Sequence, residues 1–206
     1  IIATGSELVE PAGTPAGATI RDSNGPQLAA QAAAAGLLPR PLGIAGDTPE
    51  TIGAAIDRAR GAVDLFLLSG GVSMGDYDFV PDVLRNRGFE LLVEKVAMKP
   101  GKPTVFGVGD GDWVFGLPGN PVSTFLVFEL FVRPFCHLLM GREDRPLVVA
   151  GPLAADIRRR RSDRLAHVPV RLRPDGMIEP VEYHGSAHIH AYAAADGFIA
   201  VPVGVG

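Results

Sequence analysis

The chain has one cysteine in 206 residues, Cys136, so it forms no intrachain disulfide, and a reducing, cytoplasmic compartment is expected. No apolar run reaches the roughly 18 residues that a membrane span requires, so no membrane partner is expected. Nor is there an excess of positive charge: the formal net charge is -4, which argues against a nucleic-acid partner. An initiating methionine and a signal peptide are missing too. The chain starts inside a probable strand, Ile1-Ile2-Ala3, so it reads as a fragment and the missing signal excludes nothing. What remains, 47% hydrophobic and 20% charged, is an ordinary globular composition, long enough for one large domain or two small ones.

The stretch Ser69-Gly70-Gly71-Val72-Ser73-Met74-Gly75-Asp76-Tyr77-Asp78 carries the most chemistry. It follows Leu65-Phe66-Leu67-Leu68, a wholly apolar run that reads as a buried parallel strand. Ligands of open α/β sheets bind just past the carboxyl ends of such strands. Two glycines there let backbone N–H groups approach an anion, and Ser69 and Ser73 add hydroxyls. Asp76 and Asp78 suit a hard cation, and Phe79 opens a helix behind them. The plainer alternative is a glycine-rich turn with solvated aspartates.

Around this stretch, strands and helices alternate. Thr4-Gly5-Ser6-Glu7-Leu8 is a strand-to-loop edge, and residues 10–20 are a Pro- and Gly-rich loop. Asp22-Ser23-Asn24 precedes an Ala-rich helix over 25–35 that stops at Gly36. A weak strand follows over 37–44. Asp47 lies just before N-cap Thr48 and Pro49, which start a helix running to about Arg60. Residues 79–87 form a helix ending at Gly88, and 90–96 a strand that Glu94 and Lys95 place towards an edge or the site. Met98-Lys99-Pro100-Gly101-Lys102-Pro103 holds two lysines on a stiff frame. Residues 104–107 and 113–116 form a hairpin. Gly116-Leu117-Pro118-Gly119-Asn120-Pro121 then leads, with Asn120 as N-cap, into a helix over 122–140 that is apolar on most sides and should be deeply buried.

The alternation predicts a doubly wound, mostly parallel α/β domain over 1–141. From Arg142 the pattern changes to short runs between Pro and Gly, Leu147-Val148-Val149, His167 to Leu172 and Phe198 to Val201, which predicts a small all-β domain over 142–206. The basic run from Arg158 to Arg161 reads as a solvated loop. His184, His188 and His190 have the spacing of a metal site, but an exposed strand is the simpler reading, since no cysteine lies nearby.

Together, Thr4-Gly5-x-Glu7-Leu8, the 69–78 stretch, the 98–103 stretch and the 116–121 stretch resemble the molybdopterin molybdenumtransferase (MoeA) family, in order and in spacing. The resemblance implies insertion of molybdate into adenylated molybdopterin with release of AMP, a divalent cation such as Mg2+, and a homodimer in the full-length protein. It places the acidic positions at Glu7, Asp47, Asp76 and Asp78, with Glu7, Asp76 and Asp78 for the metal and Asp78 first among the catalytic candidates. Lys99 and Lys102 match the family's lysines, and Asp22 and Ser23 its Asp-Ser-Asn stretch. Ser69, Gly70, Gly71, Ser73, Gly75, Gly116, Pro118, Gly119, Asn120 and Pro121 are expected to line the substrate. Lys99 and Lys102, helped by the Arg164 region, are expected to position molybdate. Two departures stand out. Ser6 replaces a usual carboxylate, and His190 and Ala191 replace a pair of serines after Gly185-Ser186, where the small domain would contact molybdate. The alternatives are the related molybdopterin adenylyltransferase, which shares the α/β domain and the Ser-Gly-Gly loop, and a non-catalytic scaffold of the same fold. The lysine frame and the appended β domain argue against the first, and the intact carboxylates against the second.

Overall fold

The computed structural model describes residues 1–73, 78–159, 162–182, 185 and 187–205. In chain order the elements are β1 (Ile2–Thr4), β2 (Leu8–Val9), β3 (Ile20–Arg21), α1 (Asn24–Ala34), β4 (Ile44–Ala45), α2 (Pro49–Asp57), β5 (Leu65–Ser69), α3 (Val80–Asn86) and β6 (Glu90–Val93). There follow β7 (Met98–Lys99), β8 (Val105–Val108), β9 (Trp113–Leu117), α4 (Pro121–Val127), α5 (Arg133–Leu139), β10 (Leu165–Leu172), β11 (Ile178–Pro180) and β12 (Gly197–Val201). A π-helical turn over Phe128–Val132 joins α4 to α5, and a 3-10 turn spans Ile189–Ala194.

The main sheet has the order β4-β1-β5-β9-β8-β6. The first four strands are parallel, and β8 and β6 complete it antiparallel. The reason lies in the side chains of β5. Phe66, Leu67 and Leu68 are all buried, and successive residues of a strand face opposite sides. Phe66 and Leu68 join Ile52 and Ile56 of α2 and Val80, Val83 and Leu84 of α3 on one face. Leu67 joins Leu28 and Ala32 of α1 with Val127, Phe128 and Val132 on the other. Helices therefore cover both faces, and each fully buried Leu or Phe contributes about 1.5–3 kcal/mol. Chain direction decides where a ligand can enter. The chain passes from β1 outward to β4 and returns across to β5, so the strand order reverses between β1 and β5.

Local chemistry explains the helix ends. Thr48 Oγ1 accepts from Thr51 N with Pro49 in the first turn, as expected for an N-cap. Gly36 and Gly88 close α1 and α3 with φ of 85° and 79°. Asn120 occupies the N-cap position of α4, but its side chain makes no cap bond. Thr124 Oγ1 instead donates to the carbonyls of Pro118 and Asn120.

The rod Pro121–Leu139 is long and apolar enough to cross a membrane by length and composition, but only 44% of its apolar window is buried. Its first half is core, with Val122, Leu126, Val127 and Phe128 fully covered, and the Arg133–Glu129 ion pair (2.8 Å) is on its side. The expectation of deep burial fails in the second half, where Phe131, Leu138, Leu139 and Met140 are exposed because no layer of the described chain lies over them.

The second sheet has the antiparallel order β11-β10-β12, and β7 adds to β10 in parallel, with Leu165 opposite Met98 and Ala166 opposite Lys99. Residues 98–99 thus leave the main sheet and help build the second. Four expectations need correction. Leu147 to Val149 form no strand; they are exposed, and pairing starts only at the Leu153–Ile178 bridge, beyond Pro152. The weak strand over 37–44 shrinks to Ile44–Ala45, since Pro39 and Pro41 break the ladder. Ile189–Ala194, which carries His190, is a 3-10 turn, not a strand, and its Ala191 and Tyr192 pack onto Val122 and Phe125. In the basic run, Arg159 is not solvated: it donates to the carbonyls of Val201, Pro202, Val205 and Arg164 and ties the chain end to the sheet.

Candidate functional site

The parallel register puts the ends of β1, β4, β5 and β9 along one edge: Thr4 lies opposite Ala45, Ala3 opposite Ser69, and Ser69 opposite Leu117. The loops after those strands surround a cavity of about 620 Å³ at the reversal between β1 and β5. Two of them touch at glycines. A Cβ on Gly119 would stand 3.5 Å from Gly70 Cα, and Gly70 N donates to Leu117 O at 3.0 Å. Gly70 has φ +99°, and a Cβ there would meet Thr4 O at 2.5 Å, so only glycine lets the β5 loop fold this close to β1. Gly71 O accepts from Val80 N, which ties the loop to the start of α3.

Four carboxylates, Glu7, Asp22, Asp47 and Asp78, line this cavity with Ser69, Gly70, Gly71, Ser73, Ser23, Pro118, Gly119, Asn120 and Pro121. β2 and β3 pair in parallel and close the intervening loop on itself, so Asp22, directly after β3, comes to the same rim as Glu7, directly before β2. Asp22 is buried, and its Oδ1 accepts from Gly25 N at 3.0 Å. Asp47 and Ser6 clasp each other: Ser6 N donates to Asp47 Oδ2 at 2.7 Å, and Asp47 N donates to Ser6 Oγ at 3.0 Å. The serine that replaces a carboxylate therefore latches the β1 loop to the β4 loop and fixes the orientation of Asp47.

Some expected residues lie elsewhere. Lys99 and Lys102 are exposed and do not line the cavity, although Pro103, next to Lys102, does. Gly116 is inside the sheet, where a Cβ would meet Val72 and Val105; it permits packing rather than ligand contact. Gly75, Asp76, His184 and Ser186 lie outside the described residues. Ala187, just before the 3-10 turn that packs on α4, adds to the cavity wall.

Sequence reasoning passed over Asn24 as one of a group of capping residues. Its Nδ2 donates to Gly119 O at 2.7 Å, across 95 residues of sequence, and it lines the cavity. Its Oδ1 and the Ser69 hydroxyl are buried without a hydrogen-bond partner among the described residues. The available signal was the amide spacing Asn24, Gln27, Gln31, which repeats along one side of a helix otherwise made mostly of alanine.

A second cavity, also about 620 Å³, lies at the opposite ends of the same strands and is lined by Leu37, Leu42, Val63, Phe66, Trp113 and Cys136 among others. Burial pushes the Cys136 thiol up to about 11, which leaves it without thiolate chemistry at neutral pH.

Residues 1–137 match the family described as the probable molybdopterin binding domain, and residues 150–206 match the MoeA C-terminal region, domain IV. The molybdopterin molybdenumtransferases of Staphylococcus epidermidis and Bacillus subtilis are each 33% identical over 207 residues, covering 99% of this chain and 49% and 48% of those proteins. The chain thus spans about half the length of the curated relatives it matches. The molybdopterin biosynthesis MoeA protein from Pyrococcus horikosii superposes with a TM-score of 0.86 at 33% identity, over 100% of this chain and 50% of that one. The molybdopterin biosynthesis Mog protein from Mycobacterium ulcerans shares the fold over 68% of this chain and 95% of its own, with a TM-score of 0.55 at 20% identity.

Proposed function

From the premise that this chain belongs to the family of the probable molybdopterin binding domain, joined to a MoeA-type C-terminal region, we propose that it is the catalytic half of a molybdenum cofactor transferase. In this reading the full-length enzyme takes adenylated molybdopterin and molybdate, inserts the metal and releases AMP. The observation that carries the reading is the meeting of the two glycine loops with Glu7, Asp22, Asp47 and Asp78 around one cavity at the sheet's reversal point.

The chemistry follows from the lining. Backbone N–H groups of the Gly70-Gly71 loop suit phosphate oxygens, which need donors at close range. Carboxylates repel such an anion unless a cation intervenes. Hard oxygen donors fit Mg2+, which usually keeps one or two carboxylates together with phosphate oxygens and waters. Asp78 and Glu7 would hold it, and when bound it neutralises charge developing on the phosphate. Asp47, held in place by Ser6, orients the rim beside them. Lys99 on β7 and Lys102, next to the cavity residue Pro103, are exposed to solvent and would receive the molybdate oxyanion. The adenylyltransferase alternative accounts for the α/β domain but leaves the pairing of β7 with β10, which anchors the lysine frame, without a purpose.

The reading is tested by measuring AMP release from adenylated molybdopterin by the full-length protein, with and without molybdate. Molybdate-dependent release is expected. Lys102→Ala should keep substrate binding while losing molybdate-dependent turnover. Release that ignores molybdate in the parent protein would overturn the assignment.

A further inference from the structure

The side of α1 that faces α4 carries three amides, Asn24, Gln27 and Gln31, at the i, i+3 and i+7 positions of one stripe. Each donates to a main-chain carbonyl of the site loop or of the helix behind it. Asn24 Nδ2 reaches Gly119 O at 2.7 Å, Gln27 Nε2 reaches Pro121 O at 3.3 Å and Gln31 Nε2 reaches Phe125 O at 3.2 Å. Gln31 also donates to Glu129 Oε1 at 2.7 Å, the carboxylate that Arg133 holds from the next turn. Asn24 and Gln31 are almost wholly buried, and the carbonyl oxygen of each lacks a partner among the described residues. An apolar pair of helices would avoid two unpaired buried acceptors. The stripe therefore has a use other than packing.

Peptide geometry shows what that use is. The Gly119–Asn120 bond is trans, so its C=O and N–H point in opposite directions. Gly119 O is held towards α1 by Asn24, so the Asn120 N–H is turned away from α1, and both residues of the peptide line the cavity. No described residue accepts from that N–H. Turning this peptide over costs Gly119 little, because its ψ is little restricted, and takes Asn120 from φ -72° to positive φ, which asparagine adopts more readily than most residues. Turned over, the same peptide would present a carbonyl oxygen to the cavity and repel an anion.

We propose that Asn24 is a positioning residue that sets the polarity of the Gly119–Asn120 peptide, so that an N–H rather than a C=O faces the phosphate of the ligand, while Gln27 and Gln31 keep α4 in register behind it. The proposal rests on the reading that this cavity takes a phosphate-bearing nucleotide. Asn24→Leu removes the donor while keeping the side chain's branching and heavy-atom count, and Asn24→Ala serves if the bulkier leucine variant does not fold. In the full-length protein, binding of AMP and of uncharged adenosine is compared by calorimetric titration. The variant should lose roughly tenfold in AMP affinity, the scale of one hydrogen bond lost, and keep its affinity for adenosine. Equal weakening of both ligands would show a merely structural role and overturn the proposal, as would an unchanged AMP-to-adenosine ratio. Crystal structures of the parent and variant without nucleotide give an independent reading: the peptide should be turned over in the variant, and an unmoved peptide overturns the proposal even if the parent binds no AMP. Failure of the parent to bind AMP at all would instead count against the functional reading.

Discussion

Two cavities of the same volume, about 620 Å³, sit at opposite ends of the same parallel strands. The one at the amino ends is built from Leu37, Leu42, Val63, Phe66 and Trp113. The one at the carboxyl ends is built from glycine loops and carboxylates. Size does not distinguish them; chain direction and chemistry do. Loops after the carboxyl ends flank the point where strand order reverses, and the Gly70–Gly119 approach brings two backbones within reach of one anion. The contrast is between an opening walled mainly by apolar side chains and one walled by glycine loops and carboxylates.

The largest effect that would break the contrast comes from Asp78. In the full-length protein, Asp78→Asn keeps the shape but weakens cation binding, so AMP release should fall roughly a hundred- to a thousand-fold, about 2.7–4 kcal/mol, with partial rescue at high Mg2+ and little change in thermal midpoint. Near-normal turnover would remove the carboxylates from the mechanism. Next is Gly70→Ala. It forces a Cβ against Thr4 O at a backbone angle that L residues rarely adopt, and should cost about 1–3 kcal/mol, seen as a lower denaturation midpoint together with weaker AMP binding. Tolerance of the alanine would mean that the two loops do not approach as described.

The contrast is sharpened by Val63→Ala at the amino-end cavity. It should cost about 1 kcal/mol of stability and leave AMP release unchanged. A drop in AMP release at unchanged stability would give the apolar cavity a role this account denies it. The smallest effect concerns His167, buried on β10, where burial pulls the imidazole below its ordinary value of 6.5. The unfolded chain then takes up a proton before the folded one does, so stability should hold above pH 6.5 and decline as pH falls from there towards the lowered folded value. His167→Gln should flatten that decline in denaturation curves recorded over the range.

Much of this was legible in the sequence because local chemistry and global fold agree. The apolar run of β5, the Thr48-Pro49 cap, the closing glycines and the 109–112 hairpin turn each have one structural meaning, and the structure uses it. The candidate site was legible where residues lie at a strand end or within a few residues of it, as Glu7, Ser69 and Asn120 do. It was not legible where a residue's role depends on partners far along the chain. Asn24 gives no sign of Gly119, and Ser6 shows only a missing carboxylate, not its clasp on Asp47. Gly116 sits in a loop-like motif, yet faces Val72 and Val105 inside the sheet. Leu147 to Val149 have strand composition but stay exposed and pair with no described strand.

The central claim is that the carboxyl-end cavity, not its apolar counterpart, receives the phosphate-bearing substrate. The most direct test titrates isotope-labelled full-length protein with AMP in the presence of Mg2+ and follows backbone amide resonances. The account predicts saturable shifts at Gly70, Gly71, Ser73, Gly119 and Asn120. Shifts confined to Leu37, Val63 and Trp113, at the other end of the strands, would contradict it.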